Sequence, residues 1–134
     1  MRRPELTIDK QALLHNHQVA RSHAHNQRIF SAIKADGYGH GLLRVAMLLK
    51  DHSDGFAVAT VGEAEALREA GITLPILVIQ GPMDLNELHR AQALGLELVF
   101  HDHSQIALAE QARGLTGQLR IWLKANTGMN RLGL

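Results

Sequence analysis

Short apolar runs alternate along this chain with longer segments whose apolar positions fall three and four apart. The runs are Ile29–Ile33, Gly55–Ala59, Pro75–Ile79, Leu96–Phe100 and Leu119–Leu123. Each is bounded by polar residues, glycine or proline and carries almost no charge, so each reads as a buried strand. The segments between them read as helices. Leu42, Val45, Ala46 and Leu49 share one face of a helix over Leu42–Lys50. Further helices are predicted over Glu63–Ala70, over Leu85–Leu94 behind an Asp84 cap, and from Asp102 or Ser104 to Arg113. Gly71, Gly95 and Gly114 stand where these helices should stop. Ahead of the first run, Leu6-Thr7-Ile8 is strand-like. Asp9 can cap a helix through about Arg21, with Leu13, Leu14 and Val19 as its apolar stripe. Ser22 to Gln27 and Asp51 to Asp54 read as polar connections.

The strands recur at intervals of roughly 20 to 26 residues with a helix in each interval. Such alternation predicts right-handed βαβ units and a parallel sheet, in an α/β fold. Doubly wound sheets and barrels both satisfy it. No G-x-G-x-x-G follows the first strand and no P-loop is present, so the two commonest nucleotide sites are missing. A (β/α)8 TIM barrel takes roughly 250 residues. The 134 residues here supply about the first four and a half of its eight units. The first and fifth strands would then have open edges, which invite aggregation. The chain is therefore expected to be a truncated product or a piece of a larger enzyme.

Composition narrows the function. The formal net charge is +1, which argues for neither a nucleic-acid nor a membrane-surface partner. Arg2-Arg3 leads into Pro4-Glu5 rather than an apolar stretch and does not read as a secretory signal. No apolar run approaches the roughly 20 residues of a membrane span. The absence of cysteine excludes disulfides and thiol chemistry and fits a cytoplasmic protein. Nine histidines include the pairs His15/His17, His23/His25 and His101/His103. Positions i and i+2 of a helix face apart, and no HExxH pattern occurs, so no metal site is expected.

Two stretches carry candidate chemistry. In the first, the strand Ile29–Ile33 ends on Lys34, and Ala35-Asp36-Gly37-Tyr38-Gly39-His40-Gly41 follows. The alternate glycines predict a turn with positive φ or close backbone approach. A lysine at the carboxyl end of a parallel strand points to where such folds place their active sites, although a lone lysine there is more often simply solvated. In the second, the strand Leu119–Leu123 runs into Lys124-Ala125-Asn126-Thr127-Gly128-Met129-Asn130-Arg131-Leu132-Gly133. In a barrel both strand ends face the same mouth, and a lysine, a tyrosine and an arginine would converge there.

These two stretches resemble the two signatures of the alanine racemase family, in the same order and at about the same spacing. Phe56-Ala57-Val58-Ala59 with Glu63-Ala64 and Leu67-Arg68 resembles the family as well. The resemblance implies a fold-type III pyridoxal 5'-phosphate enzyme, an isomerase interconverting L- and D-alanine for peptidoglycan. It implies a homodimer in which an amino-terminal barrel, of which residues 1–134 would be the first part, precedes a carboxyl-terminal β-domain. By the same resemblance Lys34 carries the cofactor as a Schiff base, a linkage that needs an unprotonated amine, and acts on the D-alanine face. Tyr38 would bond the cofactor phosphate. Arg131 would meet the cofactor's phenolic oxygen and the substrate carboxylate, a task suited to a planar cationic fork. Lys124 matches a position often carbamylated in the family, and His40 is read as structural. Asn126 departs from the family's usual aspartate. The second catalytic base, a tyrosine of the other subunit, and the arginine facing the pyridine nitrogen belong to sequence beyond this chain, so these residues alone are expected to be inactive. The alternatives are a racemase of broader specificity and a non-catalytic module that binds the same cofactor.

Overall fold

The computed structural model describes residues 4–134; Arg2 and Arg3 lie outside the described residues. Five strands, β1 (Phe30–Ala32), β2 (Gly55–Val58), β3 (Ile76–Val78), β4 (Glu97–Phe100) and β5 (Arg120–Leu123), form one sheet. Every neighbouring pair is parallel, and the spatial order is the sequence order, β1-β2-β3-β4-β5. A doubly wound sheet reverses direction at a switch point. This one has no reversal, so the winding is that of a barrel.

Curvature supports the same conclusion. Four strand spacings of about 4.8 Å would hold β1 and β5 roughly 19 Å apart in a flat sheet. Instead the rings of Phe30 and Trp122, one from each edge strand, meet edge to face with centroids 6.3 Å apart. The sheet is curled, with these side chains on its concave face. Phe30 reaches that position over Gly55, where a Cβ would lie 2.6 Å from its ring. Trp122 is held by its indole N–H, which donates to the buried Glu97 carboxylate at 2.7 Å.

The convex face carries the helices α3 (Leu42–Leu49), α4 (Val61–Glu69), α5 (Leu85–Ala93) and α6 (His103–Gln111), each packed on the next. Their apolar stripes bury Leu42, Val45, Ala46, Leu49, Val61, Leu67 and Leu88 against Phe56, Val58, Ile76, Val78, Leu98 and Phe100 of the sheet. β2 is buried on both faces, as its unbroken apolar run requires, whereas β5 is exposed along its length. Side-chain oxygens of Thr60, Asp84 and Asp102 cap α4, α5 and α6. Of the two candidate caps for α6, Asp102 is the one used. Gly71 and Gly95 follow α4 and α5 closely. α6 ends at Gln111 rather than Arg113, because Ala112 turns extended, and α4 starts two residues before Glu63 because Thr60 caps it.

α1 (Lys10–Ala24) is capped by Asp9, whose carboxylate accepts the Ala12 amide at 3.0 Å. It runs past Arg21 through residues read as loop: the Ser22 hydroxyl turns back to the Val19 carbonyl at 2.7 Å, and the helix continues to Ala24. Leu13 and Leu14 pack on the core, but Val19 is exposed. Leu6-Thr7-Ile8 forms no strand; it joins no ladder of the sheet. No helix of the described residues is long and apolar enough to cross a membrane.

Candidate active site

The last rung between β1 and β2 is the Ile33 amide on the Ala57 carbonyl, at 3.0 Å. Lys34 opens the short helical segment α2 (Lys34–Tyr38), whose hand is unusual. Ala35, Asp36, Gly37 and Tyr38 have φ of 52°, 55°, 62° and 55°. The turn is left-handed, a conformation that costs L-residues roughly 1–2 kcal/mol each. Tertiary bonds offset this cost. Asp36 Oδ1 accepts the Leu42 amide at 2.7 Å and so caps α3, whose own cap position is a glycine. Gly41 N–H donates to the Asp36 carbonyl at 2.8 Å. His40 Nδ1 lies 3.1 Å from the Gly37 carbonyl, where it acts as donor. His40 is thus a brace of the turn, as expected. Glu63 Oε1 accepts the Ala35 amide at 2.7 Å.

A second tight loop follows β5. Lys124 N–H extends the ladder to the Phe100 carbonyl at 2.9 Å. The loop then closes on itself, with Leu134 N–H on the Lys124 carbonyl at 2.8 Å and Asn126 N–H on the Leu134 carbonyl at 3.0 Å. Asn126 organises the interior: its Oδ1 accepts the Gly128 and Asn130 amides, and its Nδ2 donates to Asn130 Oδ1. Gly133, at φ 129°, has no room for a side chain, since a Cβ would stand 2.6 Å from the Asn126 nitrogen.

The two loops meet. Lys34 and Arg131 line one cavity of about 270 Å³ at the carboxyl ends of the strands, walled by Ala59, Ile79 and Gln80. Arg131 also borders a second cavity of about 290 Å³, shared with His101, Asp102 and Gln105. There the Gln80 carbonyl accepts from Gln105 Nε2 at 2.8 Å and bonds His101 Nε2 at 2.9 Å. Asp102 is held below the ordinary carboxylate range by hydrogen bonds from the Ser104 hydroxyl and amide. An amine that can attack a carbonyl and a guanidinium that can hold an anion therefore face the same space.

Two other sequence candidates lie apart from it. The Tyr38 ring is exposed and does not line the cavity. Lys124 is half-buried, with its backbone in the ladder and its side chain outside the cavity lining. Arg68, part of the third family-like stretch, has a structural duty: its guanidinium binds the carbonyls of Leu94, Ile72 and Leu74 at 2.7–3.0 Å, and burial pushes its pKa down.

The family description "Alanine racemase, N-terminal domain" matches residues 8–134. The chain belongs to the alanine racemase family. The alanine racemase of Halorhodospira halophila is 47% identical over 127 residues, which is 95% of this chain and 35% of that protein. The crystal structure of biosynthetic alanine racemase from Pseudomonas aeruginosa superposes with a TM-score of 0.90 at 37% identity, covering 95% of this chain and 35% of that one. The alanine racemase of Bacillus anthracis with bound L-Ala-P gives 0.85 at 27% identity, over 98% and 36%. The parallel sheet with its alternating helices matches the amino-terminal barrel part of these alanine racemase structures. The chain spans about a third of the length of the relatives it matches.

Proposed function

We propose that residues 1–134 form the cofactor-lysine part of the barrel domain of an alanine racemase, an enzyme that interconverts L- and D-alanine with pyridoxal 5'-phosphate. The observation that carries this reading is the shared cavity: Lys34 and Arg131, from two separate family signatures, line the same space at the strand ends. Its lining fits the group, because it offers a primary amine to an aldehyde and a planar cation to an oxyanion. When bound, the cofactor acidifies the substrate Cα–H by drawing on its electron pair.

Lys34 Nζ is the point of covalent attachment and the proton carrier at the substrate Cα face it looks onto, the D-alanine face. Arg131 holds anionic oxygens beside it with a planar cationic fork. The Tyr38 hydroxyl is assigned to the cofactor phosphate by the family motif, and its exposed ring leaves that hydroxyl free to donate. Carbamylation of Lys124 is a second assignment of the same kind. Asn126, in place of the usual aspartate, supports the Arg131 loop without a charge. Racemisation needs a proton carrier on each face of Cα, and this chain supplies one. The other, with the β-domain and the homodimer, is assigned to the remainder of a longer, cytoplasmic protein.

The test is covalent trapping. The purified chain is mixed with pyridoxal phosphate, reduced with borohydride and mapped by peptide mass. Label concentrated on Lys34 and lost in Lys34→Ala is the expected result. Label spread evenly over Lys10, Lys34, Lys50 and Lys124 would overturn the assignment.

A further inference from the structure

Thr60 and Glu63 have the spacing of a capping box at the start of α4. The Thr60 hydroxyl does its part, accepting the Glu63 amide at 3.3 Å. In the usual box the glutamate then turns back to the amide of the cap residue itself. Glu63 reaches further. Its Oε2 accepts the amide of Ala59, one residue before the cap, at 2.7 Å. Its Oε1 accepts the amide of Ala35, from the other strand's exit, also at 2.7 Å.

Both amides lie beyond the last rung of the β1–β2 ladder, where no strand neighbour is left to pair them. One carboxylate therefore bridges two loops that the sheet no longer joins. These are the loops of the cavity: Ala59 is part of its wall, and Ala35 directly follows Lys34. Ala35 is also the first residue of the left-handed turn, so its amide direction sets the course of the chain out of Lys34. Two short bonds to a charged acceptor are among the stronger constraints that a backbone can receive.

We infer that Glu63 is the positioning residue for Lys34: its carboxylate ties the Ala35 and Ala59 amides together and so fixes where the lysine enters the cavity. This rests on the reading of Lys34 as the cofactor lysine. Glu63→Gln keeps one acceptor and loses the other, and Glu63→Ala loses both. Each variant, beside the unsubstituted chain, is trapped with pyridoxal phosphate and borohydride, and the share of label on Lys34 is compared with that on Lys10, Lys50 and Lys124. Amide hydrogen exchange is followed in parallel at Ala35 and Ala59.

The expected result is a fall of about tenfold in the ratio of label on Lys34 to the mean label on Lys10, Lys50 and Lys124 in Glu63→Ala and a smaller fall in Glu63→Gln, the scale one charge-assisted hydrogen bond supports. Exchange at Ala35 and Ala59 should quicken by a similar factor, with circular dichroism unchanged. A merely structural glutamate would alter exchange without altering how label divides among the lysines. Should Glu63→Ala fail to fold, Glu63→Gln carries the comparison. Preferential labelling of Lys34 that survives both substitutions overturns the positioning role and leaves the functional reading intact. No preference for Lys34 in the unsubstituted chain overturns the functional reading, and the positioning role with it.

Discussion

Ala35, Asp36 and Tyr38 hold left-handed backbone that glycine would adopt without strain. Relief of that strain is measurable at Ala35, which enters the bonds around it only through its backbone, the amide to Glu63 and the carbonyl to the Gly39 amide. Ala35→Gly is expected to raise stability by about 1 kcal/mol in thermal or urea denaturation, against the usual direction of an alanine-to-glycine change. A loss of stability would show that the turn is not strained there. The alternate glycines Gly37, Gly39 and Gly41 announce a turn in the sequence. Its left-handed course through an alanine, an aspartate and a tyrosine is hidden, because the compensating bonds come from Glu63 and from the Leu42 amide. Neither pairing leaves a mark in local composition. Lys34 and Arg131 were legible as signature residues, and the structure brings them to one cavity. Glu63 was legible only as part of a family-like stretch, since the capping-box spacing gives no hint that its carboxylate reaches past its own helix.

Among the elements, α1 is fastened at one end by a polar cluster rather than by a buried stripe. Arg21 spans the Gln27 and His52 carbonyls and the Asp54 carboxylate, the last at 2.7 Å. Asp54 also accepts the Ile29 amide, and these bonds, the amide first, hold its pKa below the ordinary value. One turn earlier, His17 Nε2 lies 3.1 Å from the Ser53 hydroxyl. Burial, then the charge of Arg21 and the neighbouring His52, push the pKa of His17 down; Asp54 opposes them weakly. A depressed histidine favours the fold above its unfolded pKa of about 6.5, and the benefit is lost as pH falls through the folded value. Melting midpoints measured from about pH 8 to 5 should therefore drop faster for the unsubstituted chain than for His17→Gln. Parallel curves would remove His17 from the account. Asp54 stays ionised across this window, so the Arg21 clamp does not confound it. The strands were plain in the sequence because each is a short, mostly apolar run, and the helices because of their spacing. Their ends were not: Ser22–Ala24 continue α1 despite their polarity because a helix on the surface needs no apolar residue there. Leu6-Thr7-Ile8 had strand composition and no strand to pair with.

For the whole molecule, alternation of strands and helices foretold a parallel α/β sheet but left the winding open. Neighbour order and curl settle it, and both are properties of contacts between distant residues. The same order leaves β5 as an edge whose Ile121, Trp122 and Leu123 are exposed. Ile121 and Leu123 border an apolar groove of about 610 Å³ with Ile106 and Ala109 of α6. Exposed apolar edges pair with one another. The unsubstituted chain is therefore expected to self-associate in sedimentation velocity and Leu123→Lys to shift the profile toward monomer; a monomeric unsubstituted chain, or an unchanged profile in the variant, would remove pairing through this edge.

The meeting of Phe30 and Trp122 has a practical consequence. Trp122 is the chain's single tryptophan, so all indole fluorescence comes from the point where the first and fifth strands face each other. Its emission is a built-in optical gauge of how far the two rims have drawn together. The rings meet with five strands in place, so the bend of the wall belongs to these five strands themselves. A polypeptide that completed the circle would find the arc drawn to the right radius, and the colour of one residue would report its arrival.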